Sequence, residues 1–265
     1  MDKRYYFLAG FPRSGNTLLS SILNQNPDIY SSPLSPVSEY MWLCHEASVN
    51  LENAKTNSHP NRSKNVIVNI IKNYYQDVEK PIIFDRDKNW TSPPNVRMIK
   101  EYLGSNTKII FTTRPMIEIL ASLIVMFKDR LVQVMNESPY IQNFSLPKND
   151  NLCDYLMSEH GQIGQLYPAF YSIDNLNDGN IYLVKYEDLL SAPQETMNNI
   201  YDFLEIDHFN HNFTNIQKID KDNDDEFGHP KDLHKIRPIL GRGTVRVEDY
   251  LTPRSIEKYK DVRYY

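Results

Sequence analysis

The opening stretch "YYFLAGFPRSGNTLLSSIL" constrains this chain more than any other. Tyr5–Ala9 is short, aromatic-rich and unalternating, which is how a strand buried on both faces reads. Thr17–Asn24 then follows a helical pattern. Between them lies Gly10-Phe11-Pro12-Arg13-Ser14-Gly15-Asn16-Thr17. Its two glycines permit tight backbone geometry. Amides from Ser14 to Thr17 can point at an anion, helped by the N-terminus of the helix. A strand, a turn and a helix in this order place an anion site at the carboxyl end of a strand.

The same alternation continues along the chain. Short apolar runs at Pro81–Phe84, Lys108–Thr112 and Asn180–Val184 predict three more strands. Helical patterns fall between them at Ser63–Gln76, Asn95–Leu103, Pro115–Phe127 and Ala192–Leu204. Strand–helix alternation argues for a doubly wound parallel α/β sheet. Two polar stretches, Asn136–Asn151 and Asp207–Lys235, read as long loops. The tail "YLTPRSIEKYKD" carries a Thr–Pro start signal and then a short helix. Neither a repeat nor a domain boundary is evident, so residues 1–265 read as a single domain.

Composition narrows the ligand. The net charge of −5 argues against a general polyanion surface, so an anion site has to be a local basic pocket, with no nucleic-acid partner. No run approaches the ~20 apolar residues of a membrane span, and no signal-peptide core is present. The two cysteines, Cys44 and Cys153, lack metal-ligand spacing and read as reduced thiols of a cytoplasmic protein. "DKDNDDE" (Asp220–Glu226) starts like a calcium loop but has Asp225 where the glycine belongs and Lys231 in place of the final glutamate. His208 and His211 lack a third zinc ligand.

The glycine-bracketed turn nearly fits G-x-x-x-x-G-K-[ST], the P-loop. Asn16 replaces the lysine that triphosphate chemistry uses, and the charge sits three positions earlier on Arg13. "FPRSGNT" instead resembles the 5′-phosphosulfate loop of sulfotransferases that use 3′-phosphoadenosine 5′-phosphosulfate (PAPS). Arginine at this position is similar to the tyrosylprotein-type and several bacterial members. "TTRPMIEILASL" puts Arg114 at the end of a strand and Ser122 two turns into a helix, the spacing of that family's 3′-phosphate motif. The forked arginine suits a phosphate. "KYEDLLSAPQETM" is similar to a segment whose tyrosine contacts adenine, a role the resemblance gives to Tyr186. "GRGTVRVEDY" resembles a degraded form of the C-terminal loop that closes on the 3′-phosphate. Arg242 and Gly243 are the candidates there, with Arg237 and Arg246 as rivals. At "PIIFDRDKNW", Arg86 matches a lysine that touches the 5′-phosphosulfate. Histidine, the usual base, is absent; Asp87 is the candidate and Glu39 the rival.

The resemblance implies a P-loop NTPase-like three-layer sandwich with a central parallel sheet of about five strands. It implies sulfuryl transfer from PAPS, giving 3′-phosphoadenosine 5′-phosphate (PAP), to a hydroxyl or amine. Ser14, Gly15, Asn16 and Thr17 would cradle the 5′ end, with Arg13 and Arg86 stabilising developing charge and Asp87 taking the acceptor proton. Arg114, Ser122, Tyr186, Arg242 and Gly243 would bind the rest of the nucleotide. No metal is expected. The acceptor is a small molecule, glycan or peptide, and the protein a monomer or homodimer. The rivals are a P-loop kinase, which Asn16 disfavours, and a non-catalytic PAP-binding protein. Trp42, Trp90 and Tyr140 are aromatic residues for an acceptor pocket or for the core.

Overall fold

Apolar residues of both parities along the first strand decide the architecture. In β1 (Arg4–Gly10), Phe7 and Ala9 join one buried cluster, while Tyr6 and Leu8 join another. A strand apolar on both sides needs cover on both sides, and the sheet is indeed sandwiched. The computed structural model describes residues 3–56, 59–127, 147–218, 236–241, 243 and 245–262.

Five parallel strands run in the order β2-β3-β1-β4-β5. The others are β2 (Ile29–Leu34), β3 (Ile82–Arg86), β4 (Ile109–Thr113) and β5 (Ile181–Lys185). On one face, helix α1 (Asn16–Leu23) contributes Leu19, Ile22 and Leu23, and the helix Pro193–Leu204 contributes Met197, Ile200 and Tyr201. The opposite face is covered by α2 (Val37–Asn50) and by the helices Pro60–Tyr74, Pro93–Tyr102, Met116–Phe127 and Lys148–Met157. This is the expected three-layer α/β fold.

The order sets the site. β1 is central, with Phe7 opposite Asp85 on β3 and Gly10 opposite Thr112 on β4. The carboxyl ends of β1, β3 and β4 therefore lie side by side, where the connection after β1 runs to one side of the sheet (β2) and that after β4 to the other (β5).

The four predicted strands and five predicted helices all form. The sequence reading missed β2. "IYSSPL" has two serines and a proline, yet both serines are buried. Ser31 Oγ donates to Ser20 Oγ at 2.8 Å, Asn24 Oδ1 accepts from the Ser31 amide at 2.8 Å, and Ser32 Oγ accepts from the Arg86 amide at 3.1 Å. Pro33 is tolerated because β2 is an edge strand. The loop read over Asn136–Asn151 is corrected at its end, where helix Lys148–Met157 begins. Thr252 caps the last helix, Pro253–Tyr259, accepting from the Ser255 amide, as its Thr–Pro signal predicts.

Candidate active site

The turn between β1 and α1 closes on itself. Gly10 has φ +150°, and a Cβ there would lie 2.3 Å from Thr112 Oγ1. Gly15 has φ +100°, and its Cβ would lie 2.8 Å from Tyr186 Cδ2. Arg13 takes φ +66° without being glycine, at a cost of about 1–2 kcal/mol. Ser14 is buried, and both its amide (3.2 Å) and its Oγ (2.6 Å) contact the Phe11 carbonyl. Ser14 thus departs from the expected anion-facing amide; it is spent on closing the turn. Asn16 is similar. Its Nδ2 donates to Phe11 O at 3.2 Å, and its Oδ1 accepts from Thr112 Oγ1 at 2.8 Å. The residue in the lysine position is a tie between the loop and β4. Gly15 caps α1, so amides of the first turn, including Asn16 and Thr17, lack helical partners there.

Two arginines from distant segments meet over this turn. Arg13 Nε donates to Ser122 Oγ at 3.0 Å, spanning 109 residues of sequence. Arg114 Nη1 donates to the Arg13 carbonyl at 3.2 Å. The Tyr186 ring lies 4.6 Å from the Arg114 guanidinium, within cation–π range. Tyr186 thus bridges Gly15 and Arg114. Partial desolvation, and then repulsion from Arg114, lower the pKa of Arg13 from its ordinary value. Two crowded cations beside a helix N-terminus make a place that favours anionic groups.

The end of β3 presents alternate faces. Arg86 is buried and its Nη1 donates to Thr17 Oγ1 at 2.8 Å, on the α1 side. Asp85 and Asp87 face the α2 side. Asp85 is fully buried and accepts from Ser35 Oγ (2.5 Å), Tyr75 OH (2.5 Å) and Trp90 Nε1 (2.7 Å). Burial pushes its carboxyl up to about 6, against the pull of those three donors. Asp87 is also buried; it accepts from Ser38 Oγ and, at 3.0 Å, from the Asn89 amide, capping the turn Lys88–Thr91. Both oxygens of the expected base are therefore engaged by the protein. Glu39, the rival, is exposed in the first turn of α2, one residue after Ser38.

Sequence reasoning missed Ser35, Ser38, Tyr75 and Glu118. The Arg114–Glu118 spacing of four on a helix was a readable signal; the serines gave none. Of the remaining candidates, Gly243, Arg237 and Arg246 are exposed. Arg242, Tyr140 and Asp220–Glu226 lie outside the described residues. Trp90 is core: fully buried, bonded to Asp85 and 4.2 Å from the Phe7 ring. His208 pairs with Asp202 at 2.7 Å, and His211 with Tyr201 OH at 2.8 Å. Among the described residues, no cluster of three or more His, Cys, Asp or Glu is placed to hold a metal, and no helix is long and apolar enough to cross a membrane. Cys44 and Cys153 are both unbridged.

Residues 13–17, 86, 114, 122 and 186 thus meet at one edge of the sheet; such a site can hold a ligand with more than one anionic group. Among curated proteins, nothing matches the chain. Among solved structures, the sulfotransferase domain of the Synechococcus PCC 7002 olefin synthase is 17% identical, with a TM-score of 0.54 over 99% of this chain and 90% of that one. Mouse sulfotransferase SULT7A1, solved with PAP, is 15% identical, with a TM-score of 0.53 over 98% and 83%. Sulfotransferase STF9 from Mycobacterium avium is 11% identical, with a TM-score of 0.51 over 98% and 75%. At these identities the likeness is one of fold. The sequence model of the sulfotransferase family matches residues 6–210, well over half of the chain, and this protein belongs to that family.

Proposed function

We propose that this sulfotransferase takes its sulfuryl group from PAPS and passes it to a hydroxyl or amine of an acceptor. The observation that carries the donor assignment is the meeting of Arg13, Ser122 and Arg114 over one helix N-terminus. The fit is chemical. PAPS has anionic groups at its 5′ and 3′ positions, and the cradle offers two cationic centres, a hydroxyl and helix amides. Asn16 as a loop tie fits a donor without a triphosphate.

PAPS would supply an activated sulfuryl group, whose departure leaves negative charge on the 5′-phosphate. Arg13, Arg86 and the first-turn amides of α1 would stabilise that charge where it develops. Arg114 and Ser122 would hold the 3′-phosphate and so fix the donor's orientation. Tyr186, packed on Gly15, offers a face to the adenine, and Arg242 and Gly243 are proposed to close over the nucleotide. Asp87 holds Ser38 at the start of α2. Of the two candidate bases, exposed Glu39 is the one an acceptor reaches from solvent, and Asp87 orients the segment that carries it.

Calorimetry with PAP and with ATP–Mg²⁺ tests the donor. Binding of PAP and not of ATP–Mg²⁺ is expected; the reverse would turn the reading to a kinase. Transfer of radiolabelled sulfate across an acceptor panel then separates an enzyme from a silent PAP binder. Glu39→Gln is expected to lower kcat by about a hundredfold or more while leaving PAP affinity unchanged. If Asp87→Asn does so instead, Asp87 is the base.

A further inference from the structure

Arg114 is held from behind by a single carboxylate oxygen. Glu118 Oε2 accepts from Arg114 Nε at 2.9 Å and lies 2.8 Å from Nη2. Nη1 reaches the Arg13 carbonyl, and the Tyr186 ring covers one face. A guanidinium has about five N–H donors. Nε and Nη1 each donate to the protein and Nη2 lies against Glu118, so the N–H donors left over on Nη1 and Nη2 have no hydrogen-bond partner among the described residues. The Arg114 side chain is only 13% exposed and Glu118 31%, so the pair is not a solvent-screened surface contact. Without Glu118, the repulsion between Arg114 and Arg13 would act on an arginine held, among the described residues, by one hydrogen bond to the Arg13 carbonyl and a ring contact.

A second carboxylate stands nearby. Glu187, in the first turn after β5, feels both Glu118 and Arg114, and its Oε1 is buried with no hydrogen-bond partner among the described residues. Burial raises its pKa and favours the neutral form, and it makes no bond to Arg114, so at most it tempers the local positive charge without holding the guanidinium.

We propose that Glu118 is a positioning residue for the donor nucleotide: it orients the Arg114 guanidinium so that its remaining N–H donors meet the 3′-phosphate. The inference rests on the PAPS reading above. It has a competitor, in which Glu118 merely neutralises Arg114 and weakens anion binding. The two predict opposite signs.

The test is calorimetric titration of PAP and of adenosine 5′-phosphate, which lacks the 3′-phosphate, into wild type, Glu118→Ala, Glu118→Gln, Glu187→Gln and Arg114→Ala. Glu118→Ala should weaken PAP about tenfold, as expected for loss of a hydrogen bond to a charged group. It should leave adenosine 5′-phosphate unchanged. Glu118→Gln keeps an acceptor oxygen and should restore affinity to within about threefold of wild type. Glu187→Gln should tighten PAP slightly. If Glu118→Ala tightens PAP as Glu187→Gln does, Glu118 is a neutraliser and the proposal is overturned. An equal loss for both nucleotides would show a structural role and also overturn it. If wild type fails to bind PAP, or Arg114→Ala binds it normally, the donor reading itself falls and takes this inference with it. Wild-type binding, an Arg114→Ala loss and an unchanged Glu118→Ala would overturn the positioning role alone.

Discussion

Two carboxylates serve this site from opposite sides, and their circumstances differ. Asp85 at the end of β3 is fully buried and surrounded by three donors from Ser35, Tyr75 and Trp90. Glu118, on the helix after β4, is half-buried and faces one guanidinium that also faces the ligand space. The first completes its interactions within the protein and so fixes where β3 and the α2 segment lie. The second holds an arginine whose remaining N–H donors, under the proposed role, meet a nucleotide arriving from outside. Buried networks of the first kind specify shape, and partly exposed pairs of the second kind set affinity.

The comparison can be broken, starting with the largest effect. Asp85→Ala strands three donors in the core and should cost about 3–5 kcal/mol, read as a fall in the denaturant midpoint. A loss under about 1 kcal/mol would mean that the network is not a scaffold. Arg114→Ala should do the reverse. PAP affinity should fall about a hundredfold, from lost charge-assisted bonds, while stability falls by only about 1–2 kcal/mol, because one ion pair and one backbone bond are lost. Asn16→Ala tests a group that belongs to the scaffold while sitting in the ligand loop. It loses ties to Phe11 and Thr112 and should cost about 1–2 kcal/mol of stability. Asn16→Lys should be no better, and calorimetry should show no gain of ATP–Mg²⁺ binding.

A further effect concerns pH. The Asp85 carboxyl is raised to about 6 by burial, so the folded state holds its proton more tightly than the unfolded chain. Its contribution is present at low pH and is lost as pH rises through about 6. Burial lowers His211 to about 4, so its contribution has the opposite sense: present at neutral pH, lost as pH falls from 6.5 through about 4. The two oppose each other across the same window. His211→Gln should therefore make stability less sensitive to acid between pH 6.5 and 4 than wild type. Parallel unfolding curves for the two proteins across that range would refute it.

Most of the sheet was legible because buried parallel strands are short apolar runs, and four of the five strands are. β2 was not, because its serines satisfy one another and neighbouring backbone in the interior, an arrangement that no local pattern announces. Arg114 and Ser122 were legible as a spaced pair, as was Arg13 in its loop, and the fold brings all three together. Which groups hold them was not. That Asn16 ties the loop to Thr112, and that Ser35 and Ser38 reach Asp85 and Asp87, depends on strand order. Strand order is set by packing across the whole sheet.

Arg13 carries a final consequence. Its charge is mounted on a left-handed backbone that any residue but glycine resists. Replacing it with glycine would relax the turn and remove the cation in one step. Under the proposed role of Arg13, that one change would gain backbone ease and lose charge stabilisation at the 5′ end, so durability and chemistry would pull on a single codon in opposite directions.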